Sequence, residues 1–463
     1  MTQSYTGSVR LSSPADNIYQ HIKDMPIVSP HGHTDPSWFA ENRAFRDPAE
    51  LLIIPDHYVF RMLYSQGVPL DKLGIGIAPG DRDPRAIFKL FATHWNKFLG
   101  TPSRQWLEHT FANVFEITEP LGAKNAETFY DLIAEKLQTP EFRPRALFER
   151  FNLEVLATTD GALDDLSHHK KVLDDGWAGR LVPTFRPDTV LNPMSSQFQN
   201  DIKELGHISG EDTHTYSGYI RALQKRRAFF KSMGATATDH ATIHPHTCWL
   251  EIADITALFD KMISGTSTHQ EQADFYGHML VEMAQMSIDD GLVMQIHAGS
   301  SRSTNFQILE RFGNDMGADI PHAVDWVAGL SALLNRVGNN PKLKIILFTL
   351  DETTYARELA PMAGHWPALK LGPPWWFHDS LAGIARYFDQ VVETAGYWNL
   401  AGFNDDTRAL LSIPARHDLW RKGVSIHLAG QIGRGLFGVS DAHEIAKLLT
   451  RDLALESYKL GEH

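Results

Sequence analysis

The stretch Ile27-Val28-Ser29-Pro30-His31-Gly32-His33 places two histidines directly after an apolar segment. Alternate side chains of a β-strand point to the same face, so a strand that ends here directs both imidazoles to one side. Two imidazoles on one side can share a divalent metal ion. A chain with 23 histidines also produces such a triplet without any metal. The interpretation therefore depends on what the rest of the chain brings to the same place.

Seven later segments share this pattern, in which a short β-prone run ends at polar residues. The runs are 153–158, 181–185, 235–238, 292–296, 344–348, 368–372 and 398–403. Segments with helical apolar spacing separate most of them, such as 270–285, 320–337 and 380–393. Eight strands that alternate with helices predict an α/β fold, a parallel (β/α)8 barrel of the TIM type. An open doubly wound sheet is the rival fold, but the glycine-rich phosphate loop expected after its first strand is absent from the sequence.

A long helical segment separates the first two predicted strands. Asp47 followed by Pro48 is typical of a helix start, and 57–66, 84–98 and 125–133 have helical spacing. We therefore expect a barrel formed by residues 1–36 and 151–463. Residues 37–150 are expected to form an inserted helical subdomain that contributes to the active site.

Composition limits the partners and the location. A formal net charge of -13 argues against a nucleic-acid or anionic-membrane partner, and no apolar run reaches the length of a membrane span. Residues 1–16 lack the pattern of a secretory signal, so we expect a cytoplasmic protein. An acidic barrel of this size is compatible with a homo-oligomer, although no interface can be read from the sequence.

Cys248 is the only cysteine, which excludes an intrachain disulfide and a multi-thiolate metal cluster. A single cysteine can be a nucleophile. Within Thr247-Cys248-Trp249-Leu250 we instead expect a structural thiol that packs in a helix.

Four polar residues at predicted strand ends form a candidate metal site. They are His31, His33, His297 and Asp406, which follow strands one, five and eight. Imidazole and carboxylate without thiolate suit one Zn²⁺, with Mn²⁺ or Fe²⁺ as alternatives. Taken singly, Asp406 also fits a helix cap and His297 a hydrogen-bonded core residue. Their occurrence together at the ends of barrel strands favours the metal.

Three arginines occur at or near the ends of predicted strands, namely Arg186, Arg302 and Arg408. Surface arginines usually form solvated pairs, whereas convergent arginines at a barrel mouth bind a carboxylate or a phosphate. The absence of a phosphate loop favours a carboxylate ligand. Trp375 and Trp376 can form a wall of such a pocket, and a core or lid position is the alternative.

Tyr58 lies in the inserted segment and has two interpretations. A tyrosine titrates near ~10 and is a poor base at neutral pH. A nearby guanidinium would favour the phenolate and lower the pKa of Tyr58. Otherwise Tyr58 is an aromatic residue packed on its helix.

Together these motifs resemble the uronate isomerases, an outlying branch of the amidohydrolase superfamily of metal-binding barrels. The resemblance covers nearly the whole chain and rests on an ordered set of segments. They are His31-Gly32-His33, Asp56-His57-Tyr58 with Arg61, Thr158-Thr159-Asp160 with His169, Phe185-Arg186-Pro187-Asp188, Asp239-His240, Gln295-Ile296-His297-Ala298-Gly299 with Arg302, Trp375-Trp376-Phe377, Gly402-Phe403-Asn404-Asp405-Asp406-Thr407-Arg408 and Leu411-Ser412-Ile413-Pro414-Ala415-Arg416-His417.

The resemblance implies roles for ten residues. The metal ligands would be His31, His33 and Asp406, with His297 at or beside the metal. The sugar site would be lined by Arg186, Asp239, His297, Arg302 and Trp375. The catalytic residues would be Tyr58 and Arg408 as the proton-transfer pair, with Asp406 also assisting ring opening.

The sequence departs from the family at two points. Glycine stands at position 32, where many relatives carry cysteine, and its side chain is expected to face away from the metal. No lysine follows strand four to form the bridging carbamate common in the superfamily, so a single metal ion is expected.

The resemblance implies isomerisation of D-glucuronate to D-fructuronate, and of D-galacturonate to D-tagaturonate, with a uronate as the small-molecule partner. The competing enzyme class is a metal-dependent hydrolase acting on a carboxylate-bearing sugar derivative, with Asp406 as the base for water. A sugar-acid binder without catalysis is the third class.

Overall fold

A computed structural model describes residues 9–461, and the outer ends of the expected barrel unit, 1–8 and 462–463, lie outside the described residues. The described chain is a mixed α/β fold around a curled parallel sheet. In chain order the strands are β1 (Ile27–Ser29), β2 (Leu153–Gly161), β3 (Leu181–Arg186), β4 (Ala237–Thr242), β5 (Val293–Ala298), β6 (Ser300–Ser301), β7 (Ile320–Pro321), β8 (Ile345–Thr349) and β9 (Leu369–Leu371). Seven strands pair in the parallel order β1-β2-β3-β4-β5-β8-β9, while β6 and β7 form a separate antiparallel pair.

The eighth predicted strand, 398–403, contributes only one parallel bridge, between Leu400 and Leu371 of β9. A 3-10 helix, Tyr397–Asn399, takes up its beginning. Gly402 has a φ of 82°, and a side chain there would meet the backbone nitrogen of Ala454 at 2.6 Å. The segment therefore bends towards the C-terminal helices before it can extend as a regular strand.

Strand alternation supplies the sheet with two different packing faces. One face is apolar through residues such as Met294, Ile296 and Leu347, which pack with the surrounding helices. Val293 and Ala237 lie on the other, concave face in a smaller cluster. Every second side chain of a strand points to the same face. Asp239 therefore lies on the concave face with Ala237, and His297 lies there with Val293.

Helices fill the chain between β1 and β2. They are α2 (Pro36–Glu41), α3 (Pro48–Leu52), α4 (His57–Ser65), α5 (Pro84–Thr93), α6 (Pro102–His109), α7 (Ala126–Leu137) and α8 (Pro144–Arg150), after α1 (Ser13–Ile22) at the start of the described chain. The expected helix start at Asp47 is confirmed, because its carboxylate accepts hydrogen bonds from the amides of Ala49 and Glu50. Most of the buried apolar side chains of this segment belong to one hydrophobic cluster, which also contains sheet residues such as Ile27, Leu153 and Leu181.

The remaining helices cover the sheet and complete the chain. They are α9 (Ser167–Asp174), α10 (Asp188–Leu191), α11 (Phe198–Ser209), α12 (Tyr216–Ser232), α13 (Ile252–Ser264), α14 (His269–Asp290), α15 (Phe306–Phe312), α16 (Trp326–Val337), α17 (Ala360–Ala363), α18 (Leu381–Ala395), α19 (Ile413–Gly433), α20 (Val439–Lys447) and α21 (Leu453–Ser457). The predicted helix 320–337 begins only at Trp326, where Asp325 caps it. None of the helices within 9–461 combines the length and apolar character that crossing a bilayer requires.

The prediction that Cys248 packs in a helix is wrong. Residues 243–251 form an irregular loop between β4 and α13, and Cys248 is half-buried in it. Pro245 has no backbone N–H and disfavours a helical conformation at His244. The next helix begins only after Glu251.

The buried carboxyl group of Asp160, at the end of β2, makes the free energy of unfolding depend on pH. The hydroxyl of Thr158 lies 2.8 Å from Oδ2 of Asp160 and 2.8 Å from Nε2 of His169. Burial raises the pKa of Asp160 to about 7 and lowers that of His169 to about 4. The folded protein therefore holds the Asp160 proton to a much higher pH than the unfolded chain does.

Replacing Asp160 with asparagine should reduce the pH dependence of stability. The stabilising contribution of a carboxyl with a raised folded pKa is complete below its unfolded pKa, and it is lost as pH rises through about 7. The parent protein should thus lose on the order of 2–4 kcal/mol of unfolding free energy between about pH 4 and 8 that Asp160→Asn does not lose. Thermal unfolding midpoints across this range measure the difference, and parallel curves for the two proteins would contradict the assignment.

Candidate active site

Side chains from distant parts of the chain meet at one cavity of about 490 Å³. The cavity is lined by all ten residues singled out from the sequence, namely His31, His33, Tyr58, Arg186, Asp239, His297, Arg302, Trp375, Asp406 and Arg408. Several lie at or just beyond the carboxyl ends of the parallel strands, the position of active sites in α/β barrels. The structure therefore brings the whole predicted set together.

Two imidazoles converge on one carboxylate inside the cavity. Nε2 of His33 lies 3.2 Å and Nε2 of His31 lies 3.4 Å from Oδ1 of Asp406. The Nε1 group of Trp375 donates to the other oxygen of Asp406. Asp406 has a φ of 41°, a left-handed conformation that is uncommon outside glycine and that concentrates at functional sites. The backbone is therefore strained at Asp406, the residue that carries this carboxylate.

The donor set fits a divalent cation. The ligand atoms of His31, His33 and Asp406 all lie within 4.8 Å of one another, and a second such group consists of His31, Asp239 and His297. Three buried atoms have no hydrogen-bond partner, namely Nδ1 of His31, Nε2 of His297 and Oδ1 of Asp406. Oδ1 of Asp406 therefore contacts the imidazoles without good hydrogen-bond geometry. A metal ion can satisfy buried nitrogen and oxygen atoms that have no hydrogen-bond partner.

Neighbouring side chains favour the ionised form of two carboxylates in the cavity, those of Asp406 and Asp239. Burial alone would raise the pKa of Asp406, but the contacts with His31 and His33 hold it well below its usual range. Burial also opposes ionisation of Asp239, and the neighbouring His297 and Arg186 outweigh it and depress its pKa strongly. Both aspartates are therefore anionic near neutral pH.

Asp239 also orients two of the predicted substrate residues. Its Oδ1 lies 2.6 Å from Nδ1 of His297, and its Oδ2 lies 3.4 Å from Nη1 of Arg186. Nε of Arg186 donates to Asp188 at 2.7 Å. The Asp188 carboxylate also accepts from the amide of Ala241, so Arg186 is held between two strand ends.

Two further guanidinium groups line the cavity, and their side chains are partly exposed to solvent. Arg302 donates to Asp319 at 2.8 Å, and its guanidinium lies 5.3 Å from the centre of the Trp376 ring. Arg408 donates to Asp315 at 2.9 Å. Each arginine therefore has one carboxylate partner and remains accessible to a second anion.

Tyr58 is held near the start of α4, where the Asp56 carboxylate accepts from the Tyr58 amide at 2.9 Å. Its ring packs edge-on against Trp106 at 5.4 Å, and the guanidinium of Arg416 lies 5.2 Å from the ring centre. Burial, followed by the charge of Asp379, raises the pKa of Tyr58 well above 10 despite the opposing effect of Arg416. The lowered pKa that a guanidinium would produce is therefore absent here, and the phenol is protonated.

Arg416 is a buried cation whose position the sequence motifs did not predict. It forms an ion pair with Asp379, donates to the carbonyl of Asp405 at 3.2 Å and stacks 3.6 Å from the centre of the Trp106 ring. Arg416 thus connects the helix that follows the Asp406 loop with the segment around Tyr58. Its occurrence in the family-like segment 411–417 was the only signal in the sequence.

Gly32 lies between the two histidines at a point where the backbone has room for a side chain. A side chain added at Gly32 would lie 3.5 Å from the carbonyl of Thr407 and 3.6 Å from that of Ala157, which are ordinary contacts. No positive φ is required at this position. The glycine is therefore not demanded by the geometry between the two histidines.

Comparisons with known proteins identify the family to which this chain is similar. The sequence profile of the glucuronate isomerase family matches residues 7–459. The uronate isomerase of Mesorhizobium japonicum is 52% identical over 451 residues, which cover 97% of this chain and 96% of the relative. The crystal structure of glucuronate isomerase from Caulobacter crescentus has a TM-score of 0.96 and 47% identity, covering 100% of this chain and 98% of the other. Uronate isomerase from Thermotoga maritima has a TM-score of 0.92 and 29% identity, with coverage of 97% and 98%.

Replacing Arg416 with methionine should destabilise the protein by about 3–5 kcal/mol, because the substitution leaves the buried carboxylate of Asp379 without its cation. Chemical or thermal unfolding measures the loss. The matched control is Arg311→Met, which breaks an exposed pair with Asp71 and should cost about 0–1 kcal/mol. Adding Asp379→Asn to Arg416→Met should restore part of the stability. Equal stability of the two single variants would contradict the buried ion pair.

Proposed function

The chain belongs to the glucuronate isomerase family and is an isomerase of uronates, and from this membership we propose how its cavity carries out the reaction. The substrates are D-glucuronate, converted to D-fructuronate, and D-galacturonate, converted to D-tagaturonate. The observation that carries the proposal is the meeting of all ten predicted residues at one cavity. A hydrolase or a sugar-acid binder on the same scaffold is not favoured, because the matching family and the similar full-length relatives are isomerases.

Arg186 and Arg302 bind the substrate carboxylate in this proposal, with Trp375 and Asp239 lining the sugar site. The guanidinium groups are donors suited to an anion, and both line the cavity. Asp239 keeps Arg186 and His297 in place through the contacts described above. Binding energy from the remote carboxylate then positions the reacting carbons without taking part in the chemistry.

His31, His33 and Asp406 hold one divalent metal ion, with His297 at or beside it. Zn²⁺ suits the donor set, and Mn²⁺ or Fe²⁺ are alternatives. The close grouping of the ligand atoms and the unpaired buried atoms support this site. When bound, the ion supplies positive charge that stabilises oxyanion character on the sugar and orients its oxygens.

The isomerisation moves the C2 proton to C1 and the hydroxyl proton of O2 to O1, through an enediol. Tyr58 and Arg408 form the proton-transfer pair, in which the phenolate oxygen of Tyr58 takes the C2 proton and returns it to C1 on the same face. The protonated phenol of the substrate-free structure must first lose its proton to water in the cavity, and the charge of Arg416 favours that loss. Asp406 assists ring opening by relaying the proton of the anomeric hydroxyl to the ring oxygen.

We also propose the finer architecture. The segment 398–403 completes a (β/α)8 barrel between β9 and β1, a proposal supported by the Leu371–Leu400 bridge and by the 3.0 Å hydrogen bond from the His33 amide to the Thr407 carbonyl. Residues 1–36 and 151–463 form the barrel. Residues 37–150 form an inserted subdomain that supplies Tyr58, in keeping with the single hydrophobic cluster that contains most of the buried apolar side chains of that segment.

The surroundings of the enzyme are proposed from its composition. The net charge of -13 supports a protein without a nucleic-acid or membrane partner, and the single cysteine is in keeping with a cytoplasmic location. A homo-oligomer is compatible with the acidic barrel.

Replacing Tyr58 with phenylalanine should abolish turnover, because the variant lacks the oxygen that moves the C2 proton. Metal content and uronate binding should remain, since neither requires the phenol. Proton NMR of glucuronate in D₂O measures both ketose formation and solvent deuterium at the transferred position. Tyr64→Phe, on the exposed side of the same helix, is the control and should retain activity. Full turnover by Tyr58→Phe would eliminate Tyr58 as the base.

Replacing Arg302 with methionine should raise the KM for glucuronate by about 10- to 150-fold, the loss expected for a hydrogen bond to a charged group worth about 1.5–3 kcal/mol. Steady-state kinetics measure the effect. Arg311→Met, which removes an exposed guanidinium outside the cavity, should leave KM unchanged. An unchanged KM in Arg302→Met would show that this guanidinium does not contact the carboxylate.

A further inference from the structure

A second group of metal-ligating side chains lies outside the cavity described above. His246 and Cys248 project from the loop 243–251, and Asp274 lies on α14. Their ligand atoms all fall within 4.8 Å of one another. Nε2 of His246 lies 3.2 Å from Oδ1 of Asp274, and Sγ of Cys248 lies 3.0 Å from the Asp274 carbonyl. None of the three lines the active-site cavity.

The chemistry of this group is distinct from that of the active site. A thiol, an imidazole and a carboxylate together form a donor set suited to Zn²⁺ and similar borderline divalent ions. The side chains of His246 and Asp274 are 44% and 34% exposed, so a metal ion can enter from solvent. Water can then occupy the fourth position of a tetrahedral site.

Contacts that do not involve a metal hold the loop against α14. A side chain at Gly277 would lie 2.9 Å from Cδ2 of His246 and 3.3 Å from the backbone nitrogen of Cys248, so any larger residue would push the loop away from α14. The amide of Leu250 donates to Nδ1 of His278 at 3.1 Å, and the hydroxyl of Thr247 donates to the Gly329 carbonyl at 2.6 Å. The loop is therefore anchored on both sides of Cys248, which positions the ligands before any ion binds.

We propose that His246, Cys248 and Asp274 form a second metal site, which binds Zn²⁺ or a similar divalent ion and fixes the loop after β4 to α14. Binding replaces the S–H to carbonyl hydrogen bond of Cys248 with a metal–sulfur bond. The thiol proton passes to solvent, so one proton is released for each ion bound. This site is independent of the proposed isomerase mechanism, because none of its three ligands lines the active-site cavity.

The single cysteine makes the proposal directly testable. Cys248 is the only thiol in the sequence, so any thiolate-to-metal charge-transfer band must come from this residue. The full-length protein, freed of metal by a chelator and kept reduced with a phosphine, is titrated with Co²⁺ and followed in the near-ultraviolet. We expect a saturable charge-transfer band in the parent protein and its complete loss in Cys248→Ser.

Ligand variants separate a built site from a lone reactive thiol. His246→Ala and Asp274→Asn should each weaken the Co²⁺ affinity reported by this band by at least about tenfold, a loss that even outer partners of metal ligands cause. His33→Ala, which alters only the active-site group, should leave the band unchanged. Absence of the band in the parent protein would overturn the proposal. A band whose affinity is the same in His246→Ala and Asp274→Asn would overturn it as well, because the thiol would then bind the ion alone.

Discussion

The contact of the Asp406 carboxylate with the imidazoles of His31 and His33 is the interaction on which the rest of the site depends. His31 and His33 follow the first strand, whereas Asp406 follows the last segment that bridges to the sheet. The contact therefore exists only if the parallel sheet curls until its two ends approach each other. Alternation on the concave face brings Asp239 and His297 to the same place, and the helical segment after β1 adds Tyr58.

The arginine side chains that line the cavity are paired with carboxylates. Each of these arginines contacts a carboxylate, in the pairs Arg186–Asp188, Arg302–Asp319 and Arg408–Asp315. Such pairing keeps buried or half-buried charges from being left uncompensated. A uronate brings one further negative charge, which the half-exposed guanidinium groups can accept. Burial and nearby carboxylates raise the pKa of Tyr58 and keep its phenol protonated, whereas positive charge from Arg416 acts in the opposite direction.

The sequence allowed the polar residues at strand ends to be identified, because strand period and chain order fix where they fall. Asp239 and His297 proved to lie within β4 and β5 and not beyond them. The strand β4 continues four residues and β5 two residues past the predicted ends, and the site is unchanged by this error. The segment 398–403 shows the limit of β-propensity, since the packing of Gly402 on Ala454 overrides it. Arg416 and Asp379 could not be paired from sequence, because their contact depends on how α19 packs against distant loops.

The most direct test of the central claim is anomalous X-ray scattering at the zinc absorption edge from crystals of the zinc-loaded enzyme soaked with glucuronate. We expect an anomalous peak within bonding distance of His31, His33 and Asp406, with the uronate carboxylate in contact with Arg186 and Arg302. An empty position between these three ligands at full zinc loading, or a uronate bound away from the two arginines, would contradict it.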